Sequence, residues 1–87
     1  MQPIKLYIIY TEAINLEATR AILGKYFDSF TIIPAQGIWK GGEEQALVIH
    51  IITFDAGGVY LAANEIKIRN KQDAVLVTDQ SIGYKIL

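Results

Sequence analysis

The stretch Gly37-Ile38-Trp39-Lys40-Gly41-Gly42-Glu43-Glu44 concentrates most of the chemistry this chain offers. An indole beside a lysine, followed by two glycines where the backbone can turn, suits a flat ring stacking on Trp39 while the Lys40 ammonium meets a phosphate. The same tryptophan is equally suited to anchor a subunit contact, because interfaces and ligand clefts are both enriched in aromatic residues. Glu44 begins the strand after the turn, where it can accept a hydrogen bond from a ligand or pair with a neighbouring cation. Glu43 reads as a solvated turn charge. Consecutive strand residues point to opposite faces, so these two carboxylates do not form a catalytic pair. Gln36, just before the stretch, and Thr11, at the end of the first apolar run, complete the expected ligand-contacting set of Thr11, Gln36, Trp39, Lys40 and Glu44.

Other candidate chemistry is thinner. His50 is the single histidine and lies inside an apolar run. A metal site or general base needs partners at HxH, HxxxH or HExxH spacing, and none is present, so His50 reads as an interior or interface residue. Gly57-Gly58 before a helix can present amide groups to an anion, but the lysine and spacing of a P-loop are missing. Thr11, Thr78 and Ser81 are hydroxyls at strand ends with no base beside them in sequence. No catalytic residue, metal ligand or cofactor is assigned, and the chain is expected not to be an enzyme.

These residues must be positioned by a small set of elements. Ile4 to Tyr10 is apolar on both alternate sets, the pattern of a central strand covered on both faces. Asn15 is a good N-cap, and Glu17 sits where a helix dipole favours an anion, so a helix is expected from there to near Asp28. Leu16, Leu23 and Phe27 lie near its inner face. Ser29 to Trp39 reads as a strand made irregular by Pro34 and Gly37, through a bulge or an edge position. Lys40 to Glu43 turns, and Glu44 to Phe54 returns as the second arm of a hairpin, again apolar on both faces. Asp55 caps a second helix whose start is blurred by Gly57 and Gly58, with Val59, Ala62, Ala63 and Ile66 at helical spacing. Ala74 to Thr78 is a short strand, and Ile82 to Leu87 is expected to add a further short strand or an arm onto a neighbour.

The order βαββαβ is the ferredoxin-like arrangement, an α+β fold whose right-handed crossovers place both helices on one face of a four-stranded antiparallel sheet. Its 87 residues allow a single domain spanning 1–87. Of these, 52% are apolar, more than a domain this small hides alone. The open sheet face is therefore expected to pack against other copies of the chain. A net charge of −1 leaves no footprint for duplex nucleic acid or an anionic membrane. With no cysteine, disulfides, zinc–thiolate sites and thiol nucleophiles are excluded. No run reaches the roughly 20 residues of a membrane span, and a cytoplasmic protein is expected.

Two local strings carry a resemblance. FTIIPAQGIWKGGEEQALVIHI, followed by KQDAVLVT, is similar to small, largely uncharacterised proteins of phages and mobile elements. The distinctive positions are Gly37, Trp39, Lys40, Gly41, Glu44, Gln72 and the run Val75-Leu76-Val77-Thr78. More distantly, the topology and the strand–turn–strand around Trp39 and Lys40 resemble the PII and CutA-like families. Those are ferredoxin-like trimers with clefts between subunits, in which PII proteins bind adenine nucleotides. The long, tyrosine-bearing T-loop of a PII regulator is lacking. The resemblance implies a homo-oligomer, with a trimer favoured, that binds a nucleotide-like ligand in its intersubunit clefts. For a phage protein it further implies a counter-defence sponge that sequesters a nucleotide second messenger in the host cytoplasm. The alternative is an interaction module that inhibits or scaffolds a host protein.

Overall fold

A computed structural model describes residues 3–87. Four strands and two helices follow one another as β1 (Lys5–Glu12), α1 (Leu16–Tyr26), β2 (Thr31–Trp39), β3 (Gly42–Thr53), α2 (Ala56–Arg69) and β4 (Leu76–Ser81). The strands form one antiparallel sheet in the order β2-β3-β1-β4. This is the α+β, ferredoxin-like arrangement expected from the sequence.

The two strands with apolar residues on both alternate sets, β1 and β3, are the central pair. Their register places Ile9 opposite Ile49 and Tyr7 opposite Ile51. These residues and Leu47 point to the helices, where Ile22 and Leu23 of α1 and Val59, Ala62, Ala63 and Ile66 of α2 close the core. Ile9, Leu23, Ile49, Ile51, Val59 and Ile66 are all fully buried. Full burial of such a side chain is worth roughly 1.5–3 kcal/mol, which makes this single layer the main source of stability.

β2 lies at the sheet edge and pairs with β3 without a bulge from Thr31↔His50 to Trp39↔Gly42. An edge position is where a strand tolerates the missing amide of Pro34. On the open face, Tyr10, Ile33, Ile52 and Leu76 remain exposed around the half-buried His50. The two-sided apolarity of the central strands therefore leaves apolar surface uncovered in the single chain.

Both helix starts follow the expected caps. Asn15 Oδ1 accepts from the Ala18 amide at 3.0 Å, and Asp55 Oδ1 accepts from the Gly58 amide at 2.9 Å. α2 starts at Ala56 and takes both glycines into its first turn. A Cβ on Gly58 would stand 2.4 Å from Asp55 Oδ2 and 3.2 Å from Phe27 Cζ, so a larger residue there would displace the capping carboxylate.

The C-terminal segment corrects one expectation. Residues 82–87 form no additional strand. β4 itself continues to Ser81, which pairs with Lys5 at the start of β1. Beyond that point β1 has no further strand residue to offer, so the ladder ends.

Candidate functional site

The β2–β3 hairpin turns through Lys40 and Gly41, whose φ values are 50° and 81°, between the paired residues Trp39 and Gly42. Two consecutive left-handed residues match the twist of the flanking strands, a place usually filled by Asn-Gly. The turn holds the Lys40 ammonium 5.8 Å from the centre of the half-exposed Trp39 indole. That cation–π contact leaves the ring at the mouth of a cleft of about 400 Å³, within the range of small-molecule sites.

Strand register builds the cleft floor. Gly37 pairs with Glu44, while Ala46 stands between Ala35 of β2 and Glu12 of β1. Gly37, Gly42 and Ala46 therefore keep this face low beside Trp39, and Glu44 stands diagonal to the indole. Glu12 is the diagonal neighbour of Glu44 across the β1–β3 pair, a separation that long side chains bridge readily. The Glu12 carboxyl is held above the usual carboxylate range, first by its hydrogen bond with Glu44, then by partial burial, then by the negative charges of Glu44 and Asp73.

The loop after α2 supplies the opposite wall. The Lys71 amide donates to Ile68 O at 3.2 Å and the Gln72 amide to Lys67 O at 3.0 Å, which is a Schellman closure of the helix. Its left-handed residue is Lys71, φ 55°, where glycine is usual. This closure delivers the Gln72 side chain onto the end of β1. Gln72 Oε1 accepts from the Glu12 amide at 3.0 Å, and Gln72 Nε2 donates to Thr11 Oγ1 at 2.6 Å. The cleft thus carries Glu12, Glu44 and Asp73 against the single lysine Lys71.

Of the five residues expected from the sequence to contact ligand, Thr11, Trp39 and Glu44 come together on this cleft. Lys40 stands outside its lining, over the indole. Gln36 pairs with Gln45 on the other side of β2 from Gly37 and Trp39, and does not line it. Sequence reasoning missed Tyr10, Glu12, Lys71 and Asp73, and gave Gln72 no physical role. Glu12 was accessible in principle, because the alternation of β1 puts it on the face opposite Ile9. Among the described residues, no group of three or more His, Asp or Glu side chains is arranged to hold a metal ion, and no helix is long and apolar enough to cross a membrane.

No protein-family model and no curated protein matches the chain. Solved structures do. CPII, a nitrogen regulatory PII-like protein from Thiomonas intermedia bound to ADP, AMP and bicarbonate, superposes with TM-score 0.67 at 19% identity, covering 97% of each chain. A phage SAM lyase in its apo state gives TM-score 0.69 at 18% identity over 91% of this chain and 80% of its own. A putative PII-like signalling protein from Thermus thermophilus gives TM-score 0.52 at 22% identity, covering 91% and 85%. At these identities the likeness concerns the path of the backbone, and the chain has a distant PII-like form of the ferredoxin-like fold.

Proposed function

We propose that this chain is the protomer of a homo-oligomer that binds an adenosine-bearing small ligand in the Trp39–Glu44 cleft without turning it over. The observation that carries this reading is the cleft itself. An exposed indole, a floor of Gly37 and Ala46, and a hydrogen-bonding wall at Thr11 and Gln72 meet in one concave site. Among proteins of similar fold, one is bound to ADP and AMP and another is named for S-adenosylmethionine, so adenosine is the common chemical part. The apolar open face of the sheet supports self-association, and the PII-like likeness favours a trimer. The phage-type motif around Trp39 extends the reading to a sponge that removes a nucleotide messenger from circulation.

Calorimetry with adenosine, AMP, ADP and S-adenosylmethionine tests this, with the oligomeric state followed by light scattering. Binding of at least one compound, lost in Trp39→Ala while the oligomer persists, is the expected result. No heat at high micromolar ligand with an intact oligomer would sink the reading.

A second reading is an enzyme acting on S-adenosylmethionine, favoured by the charge of the cleft. Glu12, Glu44 and Asp73 against Lys71 attract a sulfonium cation and repel a polyphosphate. Chromatography of S-adenosylmethionine after incubation with the protein separates the two readings. Consumption that stops in Glu44→Gln while binding persists establishes the enzyme; full recovery of the compound leaves the binding protein.

A further inference from the structure

Gly37 is a glycine that the fold does not require. It lies inside β2, pairs in register with Glu44, and is absent from the residues with left-handed backbone. A Cβ built on it meets Ala46 Cβ and Glu44 Cγ at 3.6 Å and Glu44 O at 3.8 Å, all ordinary van der Waals contacts. No steep turn or close backbone approach asks for hydrogen here. Glycine within a strand nevertheless weakens it, through backbone entropy and a missing packing partner. A stability cost with no structural return points to something outside the chain that fills the space.

The space has a definite position. On the cleft side of β2, Gly37 lies two residues from Trp39, and its pairing partner Glu44 lies two residues from Ala46. Beside the indole the floor therefore carries no Cβ at Gly37 and only a methyl group at Ala46, with the Glu44 side chain flanking the space. We propose that Gly37 is the specificity-determining position of the cleft, a vacancy held open so that a flat heteroaromatic ring can lie on the β2–β3 backbone against Trp39. This rests on the adenosine reading and adds to it which residue admits the ring.

The test is a graded series, Gly37→Ala, Gly37→Val and Gly37→Leu, with Gly24→Ala as the control. Gly24 sits on α1 with nothing within 4 Å of a built Cβ, so filling it stabilises the helix without touching the cleft. Each variant is melted and titrated calorimetrically with adenosine, AMP and S-adenosylmethionine, and its oligomeric state is measured by light scattering. The expected result is that melting temperature rises from Gly to Val at position 37 as affinity falls with side-chain volume, by about tenfold or more for Val and Leu. Gly24→Ala should raise the melting temperature and leave affinity unchanged.

The inference is overturned by a Gly37→Val protein that melts below wild type, showing that the fold needs the glycine, or by one that binds as wild type does. Loss of the oligomer in the same variant also overturns it, because the vacancy would then serve a subunit contact. A wild type that ignores all three probes refutes the adenosine reading instead. The melting series still decides whether the glycine serves the fold.

Discussion

Gln72→Ala should destabilise the protein far more than removal of a loop glutamine ordinarily does. The pairing of β4 with β1 ends at Tyr10↔Leu76, so the Glu12 amide lies beyond the ladder and takes Gln72 Oε1 as its acceptor. The Thr11 hydroxyl, on a residue only 5% exposed, accepts from Gln72 Nε2. Truncation removes both bonds at once. Each is worth about 1 kcal/mol net, and a buried group left without a partner adds up to about 1 kcal/mol more, giving a loss of roughly 2–3 kcal/mol. Against a typical total of about 5–15 kcal/mol this is a large fraction. At about 4–8 °C per kcal/mol for a domain of this size, the melting midpoint should fall by roughly 10–20 °C. Circular-dichroism melts at fixed protein concentration read the effect, and a double-mutant cycle with Thr11→Val isolates the side-chain pair. A cost for Gln72→Ala below about 0.5 kcal/mol, or a coupling energy within the roughly 0.3–0.5 kcal/mol scatter of independent sites, refutes the reasoning.

The remaining predictions concern charge and packing. Because Glu12 is raised in the folded state, the stability it contributes is complete below its unfolded pKa and is lost as pH rises through its folded pKa. Glu12→Gln, neutral at every pH, should flatten that decline in urea melts taken across the acid-to-neutral range; a decline as steep as wild type would dissociate Glu12 from it. Glu65 behaves in the opposite sense: hydrogen bonds from Lys25 and Tyr26 lower it, so its contribution is present above the unfolded pKa and is lost as pH falls through the folded one. Glu65→Gln should therefore flatten the acid limb of the same profile and leave the neutral limb alone. Gly58→Ala should cost about 1–3 kcal/mol in denaturant melts, since its Cβ displaces the capping Asp55 carboxylate and presses on Phe27; a neutral effect would show that the α2 start relaxes freely.

What the sequence made legible was whatever is written in local pattern. Two-sided apolarity in Ile4–Tyr10 and Ala46–Phe54 identified the central strands, Pro34 marked an edge, and Asn15 and Asp55 marked two helix starts. The start of α2 was blurred because glycine propensity argues against a helix. What overrides it is the Asp55 cap on the Gly58 amide and the burial of Val59, Ala62, Ala63 and Ile66 against β3 and against β1, which is far from the glycines in sequence. The extent of β4 was missed for a related reason. Its last residues, Asp79 to Ser81, are polar, and only pairing with Lys5 to Tyr7 makes them strand.

The cleft divides along the same line. Trp39, Lys40, Gly37 and Glu44 occur together in one string, so their chemistry was visible before any fold was known. Glu12 and Gln72 belong to the site only through the β1–β3 register and the closing turn of α2. Register is nevertheless a consequence of pattern. A slip of one residue would turn Ile9 and Ile49 away from the helices and carry their whole apolar sets to the other face. Burying Ile9 and Ile49 against α1 and α2 requires the even-numbered residues of β1 and odd-numbered residues of β2 to look outward, together with the even-numbered residues of β3. The demand that builds the core is thus the one that brings Glu12, Gly37, Trp39 and Glu44 to a single surface, and a substitution that shifted the core register would lose the cleft and the core together.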